Sequence, residues 1–299
     1  MPEGALLGAT IGDLLDDAAG RLLAAGIAEP RRETRALWAA VGGGSMTPGD
    51  VWLGREHAPA PDQARRFEAA VARRADGVPF AYVTGRVDFR TLSLNIDQRA
   101  LIPRPETEGL VELVLGETGR REAGGGRRGA VADVGTGCGC IALSLAVEGS
   151  FERVIAVERS AEAAALACEN AALVRSPAPV EVRIGDLLAP LAGQRYRAIV
   201  SNPPYLTDAE YAALDPTVRL HEPREALVSG ADGLEATAAL LAGAERLLEP
   251  GGCLALEIDE RRAAAVCALA RRHGWSAVTV HDDMFGRPRY ALARLQEGA

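Results

Sequence analysis

"VADVGTGCGCIAL", residues 131–143, runs from a short β-branched stretch through three glycines into an apolar segment long enough to be a helix. Gly135, Gly137 and Gly139 are spaced G-x-G-x-G, with Thr136 and Cys138 between them. Residues without a Cβ let the backbone turn tightly and approach a ligand, and the helix that follows offers unpaired N–H groups. A tight strand-to-helix turn that holds nothing is the competing reading, because a glycine pattern alone is a weak signal. Outward from this loop the alternation continues. Residues 131–134, 154–157, 180–184, 198–200 and 254–258 read as strands, and 160–173, 234–248 and 260–273 as helices. Short β-rich runs separated by helices imply parallel crossovers and an open α/β sheet whose ligands sit beyond the carboxyl ends of the strands.

Two acids sharpen the reading of the loop. Glu158 ends the second strand, where a carboxylate can accept from both ribose hydroxyls, and Asp186 ends the third, in "RIGDLL", where an adenine would lie. Together they outline an adenosine. A nicotinamide dinucleotide would use the same ribose acid, but its G-x-G-x-x-G fingerprint requires glycine at position 140, which is Cys140. Nothing is set up specifically for a pyrophosphate, so S-adenosylmethionine is the expected cofactor.

The fourth strand runs into "SNPPYL", residues 201–206. Pro203 and Pro204 fix two φ angles, so the Asn202 side-chain oxygen and a nearby backbone carbonyl can converge on one point as acceptors. Such a pair grips an NH2 group. An amide or aromatic amine nitrogen is a poor nucleophile because its lone pair is delocalised, and holding both its hydrogens aims that lone pair at a sulfonium methyl. Tyr205 offers a ring face against the acceptor or the incoming methyl. The plain alternative is a proline-rich loop with a capping asparagine. Adenine N6, cytosine N4 and the glutamine side-chain amide are the planar acceptors that suit the device.

Composition narrows the acceptor. Net charge is -8, whereas a chain that holds nucleic acid by its phosphates presents a basic face, so stable DNA binding is not expected. All 33 basic residues are arginine, which reads as codon bias of a GC-rich genome. At 299 residues the chain has room for about two domains. The 5 cysteines are odd in number and scattered, against a disulfide framework and in favour of a reducing compartment. Cys138 and Cys140 lack a second pair or a nearby histidine, so no metal site is expected. No leader pattern and no membrane-length apolar run is present, and the expected location is cytoplasmic.

Ahead of the sheet, helical spacing is clear at 11–23, with Thr10 as N-cap and Asp13 three residues on, and again at 31–41 and 62–75. Residues 1–76 are expected to form a small helical bundle. From Phe80 to Ile96 the period becomes two around a turn near Arg90, which predicts a β-hairpin within a linking segment, 77–100. A helix is expected over 104–117, started by Pro105, and the glycine-rich 119–130 is expected as an exposed loop before the rest of a 101–299 domain. The isolated histidines and the arginine pairs read as surface or packing residues, and Trp38, Trp52 and Trp275 as core or domain-contact residues.

Several segments together resemble the HemK/PrmC family of protein N5-glutamine methyltransferases: "VPFAYVTGRVDF" (78–89), "LIPRPETEGLVE" (101–112), "DVGTGCGCIAL" (133–143), "VSNPPYL" (200–206) and "HEPREALVSGADGL" (221–234). The glycine loop and NPPY are shared with many N-methyltransferases, and the second and last stretches are far more specific. The resemblance covers roughly 65–295 and is weak over the first 60 residues. It implies a Rossmann-like, seven-stranded class I methyltransferase core behind an N-terminal helical domain that engages a peptide chain release factor, whose Gly-Gly-Gln glutamine is the methyl acceptor. The chain is then expected to work as a monomer. By position, cofactor contacts would fall on Gly135 to Gly139, Glu158, Leu187 and Asn202, the substrate clamp on Asn202 to Tyr205, and Arg104 to Glu108 near the cofactor mouth. Glu158 stands where many members have aspartate, Leu187 where some have an aromatic and His221 where an aromatic is common, and "DDMFGRPRY" (282–290) departs from the usual C-terminal segment. These departures leave open a paralogue acting on a small-molecule or nucleic-acid amine. A cofactor-binding module without catalysis is disfavoured because it needs no NH2 clamp.

Overall fold

The computed structural model describes residues 9–43, 46–119 and 129–296. Most of the glycine-rich 119–130 stretch, the Arg127–Arg128 pair within it, and Gly44 and Ser45 lie outside the described residues. The chain opens with helices α1 (Ile11–Ala24), α2 (Pro30–Val41), α3 (Pro48–Leu53), α4 (Pro61–Ala75) and α5 (Phe80–Thr84). Strands β1 (Arg86–Phe89) and β2 (Leu92–Asn95) and helix α6 (Pro105–Thr118) follow. Then come β3 (Ala130–Val134), α7 (Cys140–Glu148), β4 (Arg153–Glu158), α8 (Ala161–Leu173), β5 (Val180–Ile184) and β6 (Tyr196–Ser201). Helices α9 (Asp208–Ala212), α10 (Pro216–His221) and α11 (Glu235–Gly243) precede β7 (Leu248–Glu257), α12 (Ala263–Arg272), β8 (Ala277–Asp282) and β9 (Pro288–Arg294). Contacts divide the chain into one unit of Met1–Gly85 with Pro216–His221 and another of Arg86–Asp215 with Glu222–Ala299.

The helical unit is built on amphipathic stripes. Leu14, Leu15, Ala18 and Leu22 of α1 meet Leu37 and Trp38 of α2, Val51 of α3, and Phe67 and Val71 of α4. Trp38 and Phe67 pack edge to face with ring centroids 5.2 Å apart. Thr10 caps α1 as expected, in a reciprocal box with Asp13. The expected hairpin begins later than its pattern suggested: Phe80–Thr84 is a helix, started after Pro79 and closed by Gly85 at φ 70°, with Phe80 and Val83 packed on the helical core. Period two resumes only at Arg86. Trp52 is also not a core residue; it is 55% exposed, with the Arg55 guanidinium over its ring.

In the second unit seven strands form one sheet in the order β5-β4-β3-β6-β7-β9-β8. The first five of these neighbours pair in parallel and β9 runs antiparallel to both β7 and β8. The five expected strands are present, and β7 starts at Leu248, ahead of the predicted 254, directly after a 3-10 turn at Ala244–Leu247 that continues α11. Residues 277–282 and 288–294 supply two further strands, matching the count the resemblance implies. Every residue of β3 is buried, which is why its sequence shows no alternation. The chain winds outward from β3 to β5 and then returns to place β6 on the other side of β3, so a crevice opens between the carboxyl ends of β3 and β6. The glycine loop and NPPY both start there.

The β1–β2 hairpin is tied to this unit by its tip. Arg90, in the left-handed region at φ 52°, donates its backbone N–H to Glu108 Oε1 at 2.9 Å and its guanidinium to both Glu148 carboxylate oxygens at 2.6 Å. Helix α6 in turn lies against β9 through Gly109: a Cβ there would come within 2.2 Å of the Tyr290 hydroxyl oxygen, whose O–H donates to the Glu106 carbonyl. Alanine is preferred over glycine in a helix by about 1 kcal/mol, but overpacking against a buried ring costs about 1–3 kcal/mol. Gly109→Ala should therefore lower stability in urea denaturation, and become stabilising in a Tyr290→Leu background. A stabilising effect in the wild-type background would contradict this packing.

Candidate functional site

The loop after β3 takes the form its glycines allow. Gly135, Gly137 and Gly139 have φ of 75°, 55° and 88°, all in the left-handed region that costs other residues about 1 kcal/mol or more. A Cβ on Gly135 would meet no atom within 4 Å, so this backbone faces open space in a cleft. The N–H groups of Gly135 and Thr136 donate to the Val157 carbonyl at 2.8 and 3.0 Å. From behind, the buried Asn170 of α8 donates to the carbonyls of Cys138 at 2.9 Å and Asn95 at 3.0 Å, and accepts from the Asn95 N–H. The hairpin and the glycine loop are thus held by one carboxamide.

Asp133, the last acid before the loop, is fully buried in β3. One carboxylate oxygen accepts from the Thr136 hydroxyl at 2.6 Å and the Ala142 N–H at 3.0 Å, while Oδ1 has no partner among the described residues. Burial pushes its pKa up to about 7, against the pull of those two hydrogen bonds. Glu158 accepts from Gly137 N–H at 2.9 Å on one oxygen and from Arg159 and Ser160 N–H at 2.8 and 3.0 Å on the other. Its orientation is therefore set by three backbone donors, and Oε2 retains a lone pair for a hydroxyl. Asp186 is exposed at the mouth, and Leu187 beside it is in the left-handed region at φ 45° while packing on the sheet's core.

At the end of β6, Asn202 Nδ2 donates to Thr107 Oγ1 at 3.2 Å, and the Thr107 hydroxyl donates to Glu257 Oε2 at 2.7 Å. With its nitrogen so engaged, the carboxamide keeps Oδ1 to accept from a ligand. Thr107 belongs to "PETE" on α6 and Glu257 to β7, both buried. Burial raises the Glu257 pKa to about 7, opposed by the Thr107 hydrogen bond and by Arg289. Pro203 is buried, Pro204 and Tyr205 half-buried. Burial, and next the nearby Glu257, push the Tyr205 hydroxyl well above its ordinary pKa, so it stays protonated. The backbone N–H groups of Tyr205 and Leu206 both donate to the Leu227 carbonyl, and Ser229 N–H donates back to Leu206. Glu222, also buried, accepts from Ile102 N–H at 3.1 Å and Arg104 Nη2 at 2.6 Å. The two most specific stretches, "LIPRPETE" and "EPREAL", therefore meet each other and pin the NPPY corner.

A cleft of about 780 Å³ gathers Gly135, Thr136, Gly137, Cys138, Glu158, Asp186, Leu187, Asn202 and Pro204 from the expected set. Gly139, Pro203 and Tyr205 do not line it: Gly139 serves as the left-handed residue that starts α7. Arg99, Arg104 and Thr107 line it as well. Arg104 and Thr107 belong to the 104–108 stretch expected near the cofactor mouth, whereas Glu257 is not among the residues that the sequence points to. The usable signal was an acid inside the apolar run "CLALEI", where a strand buried on both faces has no use for a charge. No cluster of metal-binding side chains occurs among the described residues, and no described helix is long and apolar enough to cross a membrane.

Sheet order, glycine loop, the acid that ends β4 and NPPY at the crevice define a class I methyltransferase, which uses S-adenosylmethionine. Comparisons agree. Residues 13–85 match the family model of the PrmC N-terminal domain and 121–282 that of the methyltransferase small domain. The release factor glutamine methyltransferase of Deinococcus radiodurans is 43% identical over 286 residues, covering 96% of this chain and 99% of that protein. That of Moorella thermoacetica is 42% identical over 291 residues, covering 96% and 99%. Among solved structures, the hMettl16 catalytic domain in complex with a MAT2A 3'UTR hairpin superposes with a TM-score of 0.53 at 18% identity, covering 79% of this chain and 82% of that one, a likeness of fold alone. The chain belongs to the release factor glutamine methyltransferase family.

The raised pKa of Asp133 has a sign that can be checked. A carboxyl that titrates near 7 when folded and near 4 when unfolded binds its proton more tightly in the native state, so its contribution to stability is present below pH ~4 and lost as pH rises through ~7. Asp133→Asn removes that titration. The stability of wild type relative to the variant, from urea denaturation, should fall by a few kcal/mol between pH 4 and pH 8; parallel curves would show that Asp133 is ionised in the folded protein throughout.

Proposed function

We propose that this chain transfers a methyl group from S-adenosylmethionine to the side-chain amide nitrogen of the glutamine in the Gly-Gly-Gln motif of peptide chain release factors. The observation that carries the reading is the Asn202 carboxamide, tethered at its nitrogen to Thr107 and placed beside the glycine loop at the crevice.

The cofactor supplies an electrophilic methyl on a sulfonium. The open, left-handed glycine backbone and the backbone-oriented Glu158 form a cradle that fits its adenosine end. Asn202 Oδ1 and a nearby backbone carbonyl accept the two amide hydrogens, which fixes the plane of the acceptor and turns the nitrogen lone pair, normally delocalised into the carbonyl, toward the methyl carbon. Two prolines keep those acceptors from rotating away. With the cofactor bound, the C–N bond would form as the S–C bond breaks with its electron pair left on sulfur, and the alkylated nitrogen held by these acceptors would shed its extra proton. Tyr205, neutral and partly buried outside the cleft lining, stiffens the corner that carries Asn202 rather than acting as a base. The helical unit, whose residues match the PrmC N-terminal domain, is the part we assign to engaging the release factor.

Incubating the protein with methyl-labelled cofactor and intact release factor should place label on the Gly-Gly-Gln peptide. Label absent there but found on RNA or in a metabolite extract would end this substrate assignment in favour of another planar amine. Asn202→Ala should lower turnover by about tenfold to a hundredfold while cofactor affinity, from calorimetry with S-adenosylhomocysteine, falls only slightly. Equal losses in both would make Asn202 chiefly a cofactor ligand.

A further inference from the structure

We propose that Glu257 and Thr107 form a proton-dependent clasp that decides which end of the Asn202 carboxamide faces the acceptor, so that the enzyme accepts a planar NH2 group only while Glu257 is ionised. The proposal rests on the reading that Asn202 Oδ1 accepts from the acceptor amide, and it assigns positioning roles to two residues that do not themselves touch the reacting atoms.

Donor direction sets which way the carboxamide faces. An ionised carboxylate can only accept. The Thr107 hydroxyl, 2.7 Å from Glu257 Oε2, must then spend its single hydrogen on Glu257, and its oxygen is left to accept from Asn202 Nδ2 at 3.2 Å. An amide nitrogen cannot reverse that role, so the carboxamide is locked with Oδ1 outward. Protonating Glu257 reverses the chain. Its O–H can donate to Thr107, the threonine hydrogen is released toward Asn202, and the carboxamide is satisfied by turning Oδ1 to Thr107 and NH2 to the cleft. An NH2 facing an NH2 makes no hydrogen bond, and the acceptor loses one of its two anchors.

The surroundings make this protonation accessible near neutrality. Glu257 is buried between α6, β6 and β9, and the groups facing it are Glu106 and Thr107 from α6, Asn202 and Tyr205 from the loop after β6, and Arg289 and Tyr290 from β9. Burial dominates and, with Glu106 opposing its charge, places its pKa at about 7 against the Thr107 hydrogen bond, Arg289 and the Asn202 side chain, which all favour the ionised form. Proton uptake therefore competes with catalysis within the range where the enzyme is assayed.

The test is the pH dependence of kcat from pH 5.5 to 9, at saturating cofactor and release factor, for wild type, Thr107→Val, Thr107→Ser and Glu257→Gln, each checked for folding by thermal melting. Wild type should lose activity below an apparent pKa near 7. Thr107→Val keeps the shape and removes the relay: kcat should drop at least about tenfold at pH 8 and its acidic limb should vanish, with KM for the cofactor changed less than about threefold. Thr107→Ser should restore both rate and limb, and Glu257→Gln should give a flat profile. An acidic limb that persists in Glu257→Gln, or a Thr107→Val enzyme with wild-type rate and profile, overturns the clasp. If a valine variant does not fold, the serine and glutamine variants decide alone. Should wild type leave the Gly-Gly-Gln glutamine unlabelled at pH 8, it is the proposed function that fails; normal labelling with unaltered variants sinks only the clasp.

Discussion

In the mechanism we propose, one hydrogen bond, from the Asn202 amide nitrogen to Thr107, gives the chemistry its direction. Asparagine is nearly symmetric in shape and antisymmetric in hydrogen bonding, so a site that needs an acceptor must hold the nitrogen elsewhere. Most of the second unit can be read as the means of doing so. The return of the chain from β5 to β6 puts Asn202 at the crevice, α6 brings Thr107 to it, and β7 brings a buried acid to fix the threonine. The Leu227 carbonyl and the Glu222 contacts hold the flanking loops in place.

The same unit carries its costs openly. Asp133 and Glu257 are acids buried where ionisation is disfavoured, Leu187 sits in a backbone region that suits glycine, and Arg90 does likewise at the hairpin tip. Arg90 is compensated by three acids on two helices. The others cluster around the cleft, as expected where geometry for a ligand outweighs local stability.

The fold was legible in the sequence wherever period and punctuation were undisturbed. The amphipathic stripes of α1, α2 and α4 and the buried β-branched runs of β3 to β6 left unambiguous patterns. Boundaries failed where tertiary packing overrode them: Phe80 and Val83 lie in the stretch expected to form the hairpin but turn helical and pack on the helical core. The candidate site was half legible. Glycines, Glu158 and NPPY announce themselves because their chemistry depends on adjacent residues. Thr107, Glu257 and Asn170 do not, since each acts on a group 32 to 150 positions away, a distance only the folded chain closes.

A crystal structure of the protein with S-adenosylhomocysteine and a Gly-Gly-Gln peptide probes the central claim most directly. The account requires Asn202 Oδ1 about 3 Å from the glutamine side-chain nitrogen, with Nδ2 still on Thr107. A carboxamide found with its nitrogen toward the peptide, or turned out of the cleft altogether, would contradict it.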